Sequence, residues 1–153
     1  MWGTIRKVTT VTSDDPYDLE RFVSAQEKGG AYDSALGELR AGRKTGHWIW
    51  FVFPQIAGLG SSPTSRYFAV SSLEEARAYL RHPVLGPRLA SCAGTLLELE
   101  GTTAEEIFGR LDALKLRSSM TLFLRAAPDE ALFTQVLERY FAGQADPATD
   151  GCI

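Results

Sequence analysis

The chain is expected to form an α+β fold that is mainly α: a single compact domain of about seven helices with a small β component. Three observations carry that expectation. Apolar residues recur at three- and four-residue spacing through most of the sequence. Helix-starting and helix-stopping residues sit where those stripes begin and end. One run, Trp48-Ile-Trp50-Phe51-Val-Phe53, alternates instead, as an extended segment does.

Residues 1–13, rich in Thr and Val towards their end, read as an N-terminal arm or an edge strand. The globular domain is expected over 14–143. Asp15-Pro16 starts a first helix, with Asp15 as N-cap and Pro16 in the first helical position. Leu19, Phe22, Val23 and Gln26 share one face of it, and Gly29-Gly30 stops it. A second helix runs from about Tyr32 to Ala41, with Ala35, Leu36 and Leu39 inward and Gly42 as its stop.

The aromatic run follows. Trp48 and Trp50 would point one way along a strand and Phe51 and Phe53 the other, so the segment must be covered on both faces. His47 enters it, and Gln55 leaves it where Pro54 stops ladder pairing. Arg66–Val70 reads as a brief second strand. Ser72-Leu-Glu-Glu75 is a capping-box start for a helix ending near Arg81, and His82-Pro83 breaks the chain.

Leu85, Leu89, Cys92, Leu96 and Leu99 form the stripe of the next helix. Thr103 opens a short turn through Gly109. Leu111 to Ala126 fits a helix with Leu116, Met120 and Phe123 inward. Pro128-Asp129 starts the last helix, whose Leu132, Phe133, Val136, Leu137, Tyr140 and Phe141 make a wide apolar face. From Gly143 the chain turns polar, and residues 144–153 are expected to fray.

The bulk numbers set limits. A chain of 153 residues can bury a core without staples. Its net charge of −3 lacks the basic excess of a dedicated nucleic-acid binder. The local cluster Arg40, Arg43, Lys44 reads as a solvated helix end. Cys92 and Cys152 are the only cysteines, with no Cys/His ligand spacing, so neither a structural metal nor a disulfide framework is expected. No leader-like apolar run opens the chain and no long apolar run crosses it, which points to a cytoplasmic protein with no membrane partner.

Three polar sets lie against apolar stripes. Glu20, Ser24 and Glu27 share a face of the first helix, with Gln26 nearer its apolar side. A solvated face with one partly buried amide is the simpler account of them. Asp112, Lys115 and Ser119 line up on a later helix, with Ser118 beside them. A first-turn charge and an i, i+3 ion pair explain the first two. The adjacent serines are poor mid-helix residues, kept more readily where small polar groups are wanted. The loop from Gln55 to Ser62 is glycine-rich but carries neither a dinucleotide fingerprint nor a P-loop ending. His47 and His82 share no Ser or Cys partner in hydrolase spacing.

Several stretches resemble one uncharacterised family of microbial proteins over about Asp14 to Phe141. They are Asp15-Pro-Tyr-Asp-Leu-x-Arg21-Phe22-x-x-Ala25-Gln26, Leu39-Arg-x-Gly42-Arg43-Lys44, His47-Trp-x-Trp-Phe-x-Phe-Pro-Gln55-x-x-Gly-Leu-Gly60, Ser72-Leu-x-Glu-Ala-Arg-x-Tyr-Leu80, His82-Pro-Val-Leu-Gly-Pro-Arg-Leu89 and Leu114-Lys-Leu-Arg-Ser-Ser-Met-Thr-Leu-Phe123. The family is one of unknown function whose members are sometimes labelled calpastatin. That label implies a disordered inhibitor, which a chain with so many apolar stripes is not.

At greater distance the family is similar to the YbiA-like (NADAR) superfamily, whose members act on N-glycosidic bonds of ribosides and ADP-ribosyl groups. Glu20-Arg21-Phe22-x-x-Ala25-Gln26 resembles that superfamily's Glu-His-Tyr-x-x-Ala-Gln helix. Glu105-x-x-Phe108-Gly109 resembles its Asp-x-x-Trp-Gly with both key residues changed, and Leu116-Arg-Ser-Ser-Met120 its late Leu-Gly-x-x-Leu-Met helix. The resemblance implies a YbiA-like fold and an N-glycoside hydrolase acting on a riboside, nucleotide-derived or ADP-ribosyl substrate.

On that reading Glu20 or Asp112 supplies the carboxylate that stabilises an oxocarbenium-like state. Trp48 or Trp50 stacks a ring. Gln26, Arg43, His47, Gln55, Lys115, Ser118 and Ser119 hold substrate, and no cofactor or metal is required. Two alternatives stay open: a non-catalytic binder of nucleotide or ADP-ribose-type ligands, and an interaction protein in which the aromatics are only core.

Overall fold

The computed structural model describes residues 14–153; the arm or edge strand expected over 1–13 lies outside them. In chain order the helices are α1 (Glu20–Glu27), α2 (Ala31–Arg40), α3 (Ile49–Val52), α4 (Pro63–Tyr67), α5 (Leu73–Arg81), α6 (Leu85–Glu98), α7 (Ala104–Phe108), α8 (Arg110–Ala126), α9 (Ala131–Phe141) and α10 (Pro147–Cys152). A single 3₁₀ turn, Lys28–Gly30, joins α1 to α2. Among the described residues the β content is one isolated parallel bridge, Ile56 with Val70. The α+β expectation is therefore wrong: the described residues form helices joined by loops, with no sheet and with more and shorter helices than the sequence suggested. The YbiA-like, NADAR-like arrangement falls with the sheet it requires, and the N-glycosidase and hydrolase chemistry carried over from it loses the fold that supported it.

The aromatic run shows why. Trp48, Ile49, Val52 and Phe53 are the buried members, spaced as i, i+1, i+4 and i+5, while Trp50 and Phe51 are half-buried. That is the burial pattern of a helical turn, and α3 is one turn long. An extended segment needs a neighbouring strand for its N–H and C=O groups. Here the groups close locally instead: Val52 N donates to Trp48 O at 3.2 Å and Phe53 N to Ile49 O at 3.0 Å. The second expected strand gives way at Arg66 and Tyr67 to α4, which has Ser62 as N-cap and Pro63 in its first position, and keeps only Val70 in the isolated bridge.

Other elements follow the sequence closely. Leu85, Leu89, Cys92 and Leu96 are all within 1 % of complete burial along α6, and Leu99 falls just past its end. Gly86 has a reason to be glycine: a Cβ there would stand 2.1 Å from the Leu80 carbonyl oxygen, so α5 and α6 could not meet as closely. Ser72 caps α5 by accepting from Glu75 N at 3.1 Å. Glu75 turns away from the reciprocal bond and accepts from Ser71 N, Ser71 Oγ and Arg21 Nη2. Asp15 is not the N-cap expected of it: Leu19 holds that position, and the Asp15 carboxylate accepts from Leu19 N at 2.7 Å and Glu20 N at 2.9 Å from four residues upstream. A turn through Pro16–Asp18 delays that helix to Glu20.

α8 is the central element, packing against α3, α5, α7, α9 and α10. Its Leu116, Met120 and Phe123 are fully buried, each contributing about 1.5–3 kcal/mol by leaving water. A chain of rings, Phe22–Tyr79–Phe123–Phe133, runs through the core with centroids 5.1, 5.3 and 5.8 Å apart. Trp48, Phe53 and Phe108 form a second cluster with spacings of 6.1–6.4 Å. The segment 144–153 does not fray: α10 is helical, Thr149 is fully buried, and Arg125 holds Asp150 through two bonds of 2.8 and 2.9 Å.

Candidate functional site

The first turns of α8 carry Asp112 and Lys115 on one face, and two loops bring partners to them. Asp112 binds Lys44 Nζ at 2.6 Å through one oxygen and Lys115 Nζ at 3.3 Å through the other. Lys44 Nζ sits 5.0 Å above the Trp48 ring, and Lys115 Nζ 5.0 Å above the Trp50 ring. The result is a ladder, Trp48–Lys44–Asp112–Lys115–Trp50, in which two cations share one carboxylate. Lys44 is almost wholly withdrawn from water, with a side-chain exposure of 6 %, whereas Lys115 keeps 29 %.

A second carboxylate fixes the Trp48 end. Glu38 accepts from Thr45 N, Gly46 N and Trp48 Nε1 at 2.8–2.9 Å. Burial works to raise its pKa, but these donors outweigh it and bring the carboxyl down to about 2. Glu38 is therefore ionised at neutral pH and clamps the loop that presents Lys44 and Trp48.

The Trp50 end opens to solvent. Trp50 forms part of the wall of a concavity of about 360 Å³ together with Gln55, the Ile56–Gly60 loop, Ser65, Arg66 and Phe68. A second concavity of about 340 Å³ meets it at Gln55, Leu59, Gly60 and Ser65 and extends along α8 past Lys115, Arg117 and Ser118 to Asp146. The joined cleft gathers Arg66, Lys115 and Arg117 against one carboxylate, Asp146. Arg66 and Arg117 spend their N–H groups on backbone carbonyls of Ser61, Gln144 and Ala145, which leaves their charge uncompensated. In a chain of net charge −3 this is a local positive field.

Six of the residues singled out from the sequence belong to this region: Trp48, Trp50, Gln55, Asp112, Lys115 and Ser118. Ser118 Oγ is satisfied, donating to Asp146 Oδ2 at 2.7 Å. Ser119 is fully buried one turn beyond Lys115, and its hydroxyl has no hydrogen-bond partner among the described residues; the same is true of Trp50 Nε1.

Others stand elsewhere. Glu20 is exposed on α1, accepting from Ser24 Oγ, and is not among the residues lining either concavity. Arg43 and His47 are exposed. Gln26 is structural: its Nε2 donates to Phe51 O at 2.8 Å and to Tyr79 Oη at 3.3 Å, and its Oε1 accepts from Arg88.

The sequence reading missed Glu38, Lys44, Ser65, Arg66 and Asp146. Lys44 reads as part of a solvated cluster in the sequence because its burial depends on α8, remote along the chain. Asp146-Pro147 did carry a legible signal, an Asp-Pro helix start; Asp146 caps α10 through Ala148 N. Among the described residues no grouping of three or more His, Cys, Asp or Glu could hold a metal, and no helix is long and apolar enough to cross a membrane.

Residues 16–153 match the family described as "Protein of unknown function (DUF1810)". The fold is similar to the crystal structure of the conserved hypothetical protein Rv1873 from Mycobacterium tuberculosis, at 53 % sequence identity and a TM-score of 0.88. The similarity covers 91 % of this chain and 98 % of that one. No curated protein matches the chain.

Proposed function

We propose that this protein, which belongs to the DUF1810 family of unknown function, is a binder of small anionic ligands of the nucleotide or ADP-ribose type. The observation that carries the reading is Lys115, held by Asp112 over the ring of Trp50 at the wall of a cleft that also gathers Arg66 and Arg117. Such a site supplies what a nucleotide asks for: an aromatic surface for a flat base, amide and hydroxyl groups at Gln55 and Ser65 for polar edges, and cations for phosphate. The two joined concavities suit a ligand of that size.

Binding is favoured over cleavage because Asp112, whose partner Lys115 lies over the Trp50 ring, gives an oxygen to each of two ammonium groups. A carboxylate so engaged anchors a lysine; it is poorly placed to face an anomeric carbon.

A ligand that binds only the folded state raises its melting temperature. At a hundredfold excess over Kd the rise for a chain of this size is roughly 5–10 °C. Thermal denaturation with adenosine, AMP, ADP and ADP-ribose should show that rise for the phosphorylated compounds, and Lys115→Met should abolish it. No shift with any of them would refute the proposal. Mass spectrometry of the same mixtures reads free base and free sugar, so turnover lost in Asp112→Asn would replace binding by cleavage.

A further inference from the structure

Lys44 carries an ammonium withdrawn from water, set off the cleft, and bound to a carboxylate that already has a lysine. Its side chain keeps only 6 % exposure, and it lines neither concavity of the joined cleft. Its place is fixed from several sides. The backbone N–H donates to Ile107 O at 2.7 Å, Nζ donates to Gly46 O, and the Trp48 ring lies 5.0 Å away. Glu38 holds the same loop through Thr45 N and Gly46 N. Stability alone does not call for a charge there. Desolvating an ammonium is costly, apolar side chains of similar volume often serve a buried ionic position as well, and Asp112 would still have Lys115 as a partner.

The charge of the cleft supplies the reason. Asp112 gives one oxygen to Lys44 at 2.6 Å and the other to Lys115 at 3.3 Å, so its closer bond goes to the lysine that does not line the cleft. A Lys115–Asp112 pair alone would be neutral, and an anion near it would meet repulsion as well as attraction. With Lys44 added, the group carries one net positive charge. Lys115, 29 % exposed and part of the cleft wall, is where a ligand meets that charge.

Resting on the ligand-binding reading above, we infer that Lys44 is a positioning residue that acts on the phosphate of the ligand through Asp112. It neutralises the carboxylate from behind. Asp112 can then anchor Lys115 over Trp50 while the Lys115 charge stays uncompensated. Lys44 itself touches no ligand atom.

The test is calorimetric titration of AMP, adenosine and inorganic pyrophosphate into wild type, Lys44→Met, Lys44→Gln and the double variant Lys44→Met/Asp112→Asn. Lys44→Met keeps an unbranched stem and removes the charge. Lys44→Gln gives an independent reading should Lys44→Met fail to fold, since its amide still donates hydrogen bonds. Each single variant is expected to weaken AMP by about tenfold, the scale of a unit charge several ångströms from a phosphate in a partly desolvated site, and to leave adenosine unchanged. The double variant, whose group regains the net charge of wild type, is expected to recover AMP affinity to within about threefold. A residue that only braces its loop would give a different pattern. Adenosine falling together with AMP, or a double variant no tighter than Lys44→Met, overturns the role of Lys44 while nucleotide binding stands. AMP affinity unchanged in the single variants does the same. If wild type binds pyrophosphate but neither nucleotide nor nucleoside, and the variants lose and regain pyrophosphate in that order, the role of Lys44 stands and the nucleotide reading falls. Wild type binding none of the three refutes both.

Discussion

Gln26 illustrates how a polar residue beside an apolar stripe can serve the core alone. It is 2 % exposed, and its amide joins α1 to the Phe51 carbonyl, the Tyr79 hydroxyl and Arg88. Gln26→Leu would strip those groups of their partner inside the protein, at about 1–3 kcal/mol for each that stays unsatisfied. Urea denaturation should show a loss of roughly 2–3 kcal/mol, with AMP affinity unchanged. The two cysteines make a contrasting pair. Burial pushes the Cys92 thiol up to about 12, against the lowering effect of its hydrogen bond with Tyr32, while Cys152 is exposed. Iodoacetamide applied to the native protein at neutral pH should alkylate Cys152 and spare Cys92 by peptide mass mapping. Labelling of both at equal rates would mean that α6 opens readily.

At the scale of elements, α10 is held to α8 mostly through polar bonds. Asp146 accepts from Ser118 Oγ and Thr149 Oγ1 at 2.7 Å, and its own N–H donates to Thr121 Oγ1 at 2.8 Å. Burial raises the Asp146 carboxyl pKa, but the Thr149 and Ser118 hydroxyls and backbone N–H groups outweigh it and hold it below the ordinary value. The Arg125 guanidinium lowers that of Asp150. Both carboxyls bind protons less readily folded than unfolded. Their contribution is fully present above the unfolded carboxylate range and is lost as pH falls through the lower folded values. Amide exchange in residues 147–152 should therefore rise selectively in acid, before the core opens. Asp146→Ala should produce the same local rise at neutral pH. A uniform rise across α8 and α10 would show instead that the two open together. The ion pair between Arg21 and Glu75 is of the opposite kind, with side chains only 9 and 3 % exposed. Arg21 also donates to the carbonyls of Tyr17, Asp18, Tyr67 and Ala69, so it fastens α1 to the α4–α5 connection. Glu75→Ala should cost about 3–5 kcal/mol by leaving a buried charge alone.

Over the whole molecule, an acidic chain turns a positive cleft towards solvent, and the ligand should sense it. Raising ionic strength from about 0.01 to 1 M shortens the screening length from about 30 to 3 Å. AMP affinity should fall several-fold over that range while adenosine affinity holds, as titration calorimetry would show. Equal salt dependence for the two would place the charges away from the ligand. The sequence by itself determined the long helices. Leu85 to Leu96 on α6, Leu116 to Phe123 on α8 and Phe133 to Leu137 on α9 are buried as their spacing requires, and the Ser72 cap holds. Those features are local, written in residues within a turn or two of each other. Only the tertiary structure decided the rest. Whether Trp48–Phe53 extends or coils depended on whether a strand lay beside it, and the described residues offer none. Lys44 became a site residue because α8, more than sixty positions later, brought Asp112 to it. Residues 147–152 became a helix because Ser118, Thr121 and Arg125 were waiting on another element. Periodicity records how a segment presents itself to a core; it holds no record of which partner satisfies a backbone group or a charge, and those partners here are remote in sequence.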